Sequence, residues 1–372
     1  MTIQPVDSPG RLRRFIELPY RLYRDRKDLC WVPPLRSDEK VRLTPGKNPF
    51  FDHAEAALFL AVDATGRDVG RIAASVDRNH DALHGERQGA FGFFEATSPD
   101  ATAALLGAAS EWAQSNGAEV LRGPLSFTTN DECGLLVDGF DRRPVLLMPY
   151  NPPEYAGWIE AAGFRKAKDL FSFQAPIPEK PQPAYARIAA MTRRVEGVRT
   201  RPIDMRRFRE ELARVKVLYN DAWEKNWGFV PMTDHEIDHM AAQLRPAVVP
   251  DLVRFAEVDG APVGFALLVP DLNIALQKVG GRLFPFGLPR LLWSMRGIRE
   301  VRFMALGIRT EWRRKGIAPL LIDDLIRVLH ARGYHTCSIG WTLEDNEAVN
   351  RLIEAVHGKR VTVHRIYERE VA

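Results

Sequence analysis

Near the C-terminus stand Arg313, Arg314, Lys315, Gly316, Ile317 and Ala318 in unbroken order. The pattern is R-x-x-G-x-A. It lies between an apolar strand pattern, Val301 to Ile308, and an amphipathic helix pattern, Ile317 to Arg332. Residues of these types at this spacing make a cradle for a pyrophosphate. The first turn of a helix leaves orphan N–H groups aimed outward, and its dipole favours negative charge there. Gly316 lets the backbone come close, Ala318 leaves room, and the three cations supply charged donors. Cations at a helix start are disfavoured by the dipole unless an anion offsets them. A basic helix start on a solvated surface, the bland alternative, leaves that repulsion unanswered.

The elements that must position this cradle follow from apolar periodicity. Asp204 to Trp223 and Asp234 to Leu244 read as helices, and Leu252 to Val269 as a hairpin. Ile317, Leu320, Leu321, Leu325, Val328 and Leu329 fall on one helical face. Pro319 is tolerated in the first turn and Gly333 ends the helix. Cys337, Ile339 and Trp341 alternate as a strand, as do Val361 and Val363.

The chain also carries a faint internal repeat. Ala61 to Gly66 leads to Val69-Gly70 as Ala256 to Gly260 leads to Val263-Gly264, each a strand, a tight turn and a strand. Trp158-Ile159-Glu160-Ala161 matches Leu352-Ile353-Glu354-Ala355, with Asn151 and Asn346 ahead of them as candidate caps. The join holds Pro176, Pro178, Pro181 and Pro183, a semi-rigid linker. Each half reads as helices, hairpin, strand, long helix (Ala103 to Trp112 in the first), strand, short helix and final strand. The expected fold is α/β with a mixed sheet, in two units, residues 1–178 and 179–372.

Composition narrows the function classes. A chain of 372 residues is long for one core, and its 45% hydrophobic and 27% charged content is that of an ordinary globular protein. The net charge of +4 suits an anionic ligand or an anionic membrane surface and is too weak to argue nucleic acid. Cys30, Cys133 and Cys337 are far apart, odd in number and without metal spacing. No metal and a cytoplasmic location are expected. The N-terminus lacks the apolar core of a signal peptide, and no run of about 18 apolar residues is available to span a membrane.

The element order, with R-x-x-G-x-A between the fourth strand and its helix, resembles the GNAT superfamily of acyl-CoA N-acyltransferases. The resemblance covers the second half well and the first half weakly. In the first half, Ala96-Thr97-Ser98-Pro99-Asp100 stands where the cradle would be, so this copy is expected to be degenerate and to bind no CoA. Lys47 to Phe51, Asn130 to Gly134 and Met148 to Pro153 further resemble the bacterial YghO-like group, which is similar to bacterial ceramide synthases. The resemblance implies acyl-CoA as donor and partner, and a lipid amine as acceptor.

That chemistry needs a neutral amine, whose pKa in solution is roughly 10. A base or a desolvating site must therefore act on it. The tetrahedral oxyanion needs a donor, which the family takes from backbone N–H near the end of the fourth strand, here Leu306-Gly307-Ile308. Gly307 fits a strand bulge or a plain strand end. Many family members place a Tyr acid where this chain has Ile353. A thiol with pKa of roughly 8.5 leaves tolerably without one. Asn346 caps its helix, contacts the ligand, or both. Candidate catalytic groups are Glu132 in the Asn130 to Gly134 loop, Glu224 beside Tyr219, Asp221, Trp223 and Trp227, and His235, one turn from His239. Glu132 reads equally as part of a turn, and the histidines as a solvated helix face.

One insert bears on substrate class. Leu283, Phe284, Phe286, Leu288, Leu291, Leu292, Trp293, Met295 and Ile298 interleave with Arg282, Arg290, Arg296 and Arg299. Such a surface fits a peripheral membrane contact, an acyl-chain wall, or an interface packed against the first half. The expected function is long-chain acyl transfer to a sphingoid-type amine. The alternatives are acetylation of a small soluble amine, or acyl-CoA sensing without catalysis.

Overall fold

The computed structural model describes residues 1–224 and 226–371. The first half contains β1 (Thr2–Pro5), α1 (Pro9–Leu22), α2 (Arg36–Arg42), the hairpin of β2 (Ala54–Val62) and β3 (Asp68–Asp77), α3 (Arg78–His84) and β4 (Gln88–Ala96). It continues with α4 (Pro99–Ser115), β5 (Val120–Gly123), β6 (Leu135–Asp138), α5 (Glu154–Ala161) and β7 (Arg165–Pro176). The second half contains α6 (Pro183–Thr192), β8 (Val198–Pro202), α7 (Phe208–Trp223), α8 (Asp234–Leu244) and the hairpin of β9 (Val253–Val258) and β10 (Ala261–Pro270). It closes with α9 (Asn273–Val279), α10 (Gly287–Met295), β11 (Glu300–Ile308), α11 (Ile317–Ala331), β12 (Thr336–Leu343), α12 (Glu347–Ala355) and β13 (Lys359–Glu370).

Local chemistry sets these elements. Asp259 and Gly260, at φ 49° and 81°, make the tight turn between β9 and β10. Ser98 caps α4 by accepting from Ala101 N at 3.2 Å, and Thr233 with Glu236 forms a capping box on α8. Asn346 caps α12 through Val349 N at 3.4 Å. Asn151 does not cap α5. Its amide is buried and bridges Leu136, accepting from the N–H at 2.7 Å and donating to the carbonyl at 3.1 Å. Pairing β6 to this loop satisfies a buried backbone that the helix start does not.

The strands form one 13-stranded mixed sheet in the order β1-β2-β3-β4-β5-β13-β7-β12-β11-β10-β9-β8, with β6 also on β13. The two closing strands are exchanged. β13 of the second half pairs with β5 of the first, and β7 of the first half pairs with β12 of the second. β7 and β13 then pair with each other along most of their length. In the second half, α11 packs Ile317, Leu321 and Leu325 on one sheet face, and α7 packs Leu218 on Phe255 and Phe265 of the other.

Each half contains one parallel pair that starts and then parts. β11 pairs with β12 only over Glu300–Phe303 and Thr336–Ile339, and β4 with β5 only over Gln88–Ala90 and Val120–Arg122. A register shift on the antiparallel side lies within each gap, between Gly92 and Glu95 in the first half. In the second half the extra residue is Met304, between Phe303 and Ala305, where the register against β10 shifts. Gly307, read above as a bulge candidate, pairs in regular register with Phe265. Its missing side chain serves packing, because a Cβ there would overlap the Phe265 ring.

The gap in the first half is filled. Leu125 N donates to Phe91 O at 2.7 Å, and a Cβ on Gly92 would overlap the Leu125 carbonyl. Tyr155 donates to buried Glu95 at 2.8 Å and accepts from Ala96 N at 3.0 Å. These groups occupy the space that the cavity of the second half leaves open.

The strand exchange makes a prediction. A fragment of residues 179–372 leaves β12 and β13 without β7, so it should be insoluble alone. Co-expression with residues 1–178 should restore a soluble complex with the far-ultraviolet circular dichroism of the intact chain. Independent folding of the second fragment would contradict the exchange.

Candidate functional site

A cavity of about 980 Å³ threads the open gap between β11 and β12. Met304, Ala305 and Leu306 on one side, and Gly340, Trp341 and Thr342 on the other, form its waist. One lobe lies against α11 and α12 and is lined by Ile322, Leu325, Ile326, Leu352, Ile353 and Val356. The other lies against α7 and α8 and is lined by Phe208, Leu212, Val215, Trp223, Met240 and Leu244. The walls of both lobes are mostly apolar, with a polar cluster where the α7 lobe meets the waist. Past Phe303 the β12-facing backbone groups of β11 have no strand partner, so the waist offers free N–H donors.

The R-x-x-G-x-A loop sits at the end of β11. Arg313 lines the cavity, and its guanidinium donates to Ile308 O at 3.4 Å and Ala222 O at 3.3 Å. It clamps the loop to the end of α7. Arg314 and Gly316 stand at φ 65° and 81°. This winds the backbone so that the N–H groups of Arg314, Gly316, Ile317 and Ala318 have no acceptor among the described residues. Such a nest at a helix N-terminus binds phosphate oxygens. The exposed Arg314 and Lys315 flank it, with Lys315 over the Trp312 ring at 4.5 Å. A side chain on Gly316 would collide with the Thr192 hydroxyl of α6. Helix α6 is held on α11 by Arg193, which pairs with fully buried Asp323 at 2.7 Å and also with Asp324.

Below the waist, on the α7 side, polar groups converge. Thr129, Asn130 and Asp131 of the first half line the cavity there with Tyr219 and Arg302. Burial pushes the Asp131 carboxyl up to about 6, against the pull of Arg42 and with help from the Glu132 and Glu236 charges. Tyr219 donates to Asn130 Oδ1 at 3.0 Å, and burial raises its hydroxyl so that it stays protonated. Arg302 is buried, and one nitrogen reaches Gly340 O at 3.3 Å and Met148 Sδ at 3.5 Å. Its Nε and other terminal nitrogen have no partner among the described residues. Burial lowers its pKa to about 10, which still leaves a cation at neutral pH. The Asp271 and Glu132 charges favour this cation, but leaving two of its buried nitrogens without a partner is expensive unless a ligand completes them.

The first half also holds the wall of this chamber. Asn130 donates to Val230 O at 3.0 Å, Thr129 to Gly228 O at 2.9 Å, and His84 Nε2 lies 2.9 Å from Phe229 O. His53 bridges Asp77 at 2.8 Å and Glu236 of α8 at 3.2 Å. These carboxylates, Asp77 first, raise its pKa to about 10, so it is a fixed positive clamp on α8 at neutral pH.

Of the residues selected from sequence, Leu306, Ile308, Arg313 and Asn346 line the cavity. Arg314, Lys315, Gly316, Ile317 and Ala318 form the adjoining loop and first turn, with Ile317 buried in the core. Gly307 faces Phe265 and Trp223. The three catalytic candidates lie elsewhere. Glu132 pairs with Arg42 at 3.3 Å, Glu224 is exposed beyond α7, and His235 is exposed and pairs with Asp52 at 2.7 Å. None of them lines the cavity, whereas Asp131 does. Asp131 and Glu132 are neighbours in one acidic turn, and only the fold decides which faces in. Arg302 did leave a signal, as a charge inside the apolar strand Val301 to Ile308.

Residues 212–358 match the family model described as Acetyltransferase (GNAT) family. The chain is 36% identical to the protein named bacterial ceramide synthase of Caulobacter vibrioides (strain NA1000 / CB15N), over 99% of this chain and 97% of that one. It is also 36% identical to Protein YghO of Escherichia coli (strain K12), over 97% of this chain and 93% of that one. In fold it is similar to a tandem GNAT protein from the clavulanic acid biosynthesis pathway, with a TM-score of 0.57, 12% identity and coverage of 100% and 98% of the two chains.

Arg314 gives a test with two opposite signs. Arg314→Gly relieves a left-handed backbone that disfavours a side chain by roughly 1–2 kcal/mol, so the free protein should melt higher. The same change removes a cationic donor from the nest and should weaken CoA binding about tenfold by calorimetry. Unchanged CoA affinity would remove Arg314 from the phosphate site.

Proposed function

Because the chain belongs to the GNAT acetyltransferase family, and is therefore an N-acyltransferase, we propose that it moves a long acyl chain from acyl-CoA to the amine of a sphingoid-type lipid. The observation that carries this reading is the cavity with two apolar lobes meeting at one polar waist. Two aliphatic chains need two such lobes. A small polar amine would gain nothing from Phe208, Leu212 and Met240, whereas each buried methylene contributes about 0.8 kcal/mol. The full-length similarity to a protein named a ceramide synthase supports the same class.

The residues at the waist can do the chemistry. Asp131 takes the proton from the incoming ammonium, which burial beside the Arg302 cation also drives toward the neutral form. The amine attacks the thioester carbonyl. The unpaired β11 backbone N–H groups face the oxygen on which negative charge develops. The free nitrogens of Arg302 suit an oxygen substituent next to the amine, as on a sphingoid base. Collapse of the intermediate expels the thiolate, which takes up the second proton that the attacking nitrogen sheds as the amide forms, so that free CoA leaves as the thiol. Ile353 lines the cavity where a Tyr acid would stand in many relatives, and the low thiol pKa makes that acid dispensable. A chamber with a raised carboxyl and an unpaired cation supports catalysis over acyl-CoA sensing.

Release of free CoA should be fastest with palmitoyl-CoA and sphinganine in a panel of acetyl, octanoyl and palmitoyl donors against sphinganine, spermidine and lysine. Faster turnover of acetyl-CoA with spermidine would replace the lipid reading with that of a soluble amine.

A second expectation concerns pH. Asp131 is a competent base only when ionised, so kcat/KM should rise with pH and level off above about 6. Asp131→Asn should lower kcat about 100-fold and abolish that limb. Stability should move the other way. The native state holds the Asp131 proton more tightly than the unfolded state, so its carboxylate costs stability as pH rises through the interval up to about 6. At pH 7 the Asn variant should therefore melt no lower than the parent. A variant that loses activity by unfolding would not behave so.

A further inference from the structure

Helix α10 turns its apolar face outward, the reverse of an ordinary surface helix. Phe284 is 88% exposed, Phe286 81% and Trp293 71%, with Leu288 and Leu292 beside them. The other side of the segment is anchored. Gly281 fits against the Tyr20 ring and Pro34 O of the first half. Arg36 N donates to Gly281 O at 3.2 Å, and its guanidinium, 3.5 Å over the Tyr20 ring, donates to Gly280 O at 3.2 Å. The segment is thus a fixed platform.

Its charge is one-sided. From Asn273 to Arg299 there are five basic residues, Lys278, Arg282, Arg290, Arg296 and Arg299, and no acid. All four arginines are exposed. We propose that the α9–α10 platform docks the protein peripherally on an anionic bilayer. Phe284, Phe286, Leu292 and Trp293 enter the headgroup region, and the arginines meet lipid phosphates. A two-fold contact between copies of this chain would press these cationic rims against each other with no acid in the segment to offset them, which disfavours self-association as the occupant. No helix among the described residues is long and apolar enough to cross a membrane, so the attachment is to the surface. The inference stands whatever the acceptor amine is.

Sedimentation of the full chain with phosphatidylcholine vesicles, with and without phosphatidylglycerol, tests it. Binding should be at least about tenfold stronger with phosphatidylglycerol and should weaken in high salt. Trp293→Glu and Phe284→Ser should each weaken binding about tenfold. Their melting temperature should not change, because both side chains point into solvent. Equal binding of variants and parent would overturn the proposal. So would a parent that is dimeric by analytical ultracentrifugation and becomes monomeric as Trp293→Glu.

Discussion

Everything at this site depends on two strands that stop pairing. β11 and β12 begin as a hydrogen-bonded parallel pair and separate after Phe303 and Ile339. A parallel pair that continued would bury its backbone groups in the ladder and leave no passage through the sheet. Because it parts, one edge of β11 keeps unsatisfied donors, a cavity runs between the sheet faces, and the loop after β11 delivers its nest to one end. The bulge at Met304 turns the strand just where the separation starts. The first half repeats the same parting and then closes it with Phe91, Leu125, Tyr155 and Glu95.

The closed copy is not a passive duplicate. It contributes Asp131, Asn130 and Thr129 to the chamber and fixes the Gly228 to Val230 loop through three contacts at 2.9 to 3.0 Å. The half whose gap is closed thus serves as a scaffold for the chamber of the other half. Side chains held by such a scaffold need less reorganisation at the moment of reaction than side chains on a free loop.

What the sequence made legible was what local spacing determines. The nest, the helices α7, α8 and α11, the hairpin of β9 and β10 and the cap at Asn346 each depend on residues a few positions apart. What stayed hidden depends on contacts across the fold. Asn151 and Asn346 look alike in sequence, yet Asn151 spends its amide on β6. Glu132 and Asp131 are adjacent, yet Asp131 lines the cavity while Glu132 pairs with Arg42. His235, on α8, and Glu224, just past the end of α7, are exposed and do not line the cavity. The strand exchange was invisible because β7 and β13 are equally long, at 12 residues each, so neither length nor alternation says which strand each will meet.

That exchange also sets an order of events during synthesis. β5 and β7 leave the ribosome early, and the strand that lies between them is Lys359–Glu370. Until that segment has been made, the nascent first half carries two open strand edges next to an apolar core that still lacks Tyr367. Open edges invite pairing with other chains, and contacts this far apart in sequence close slowly. The nascent first half is thus exposed to mispairing for as long as the second half takes to make, whatever the stability of the finished sheet.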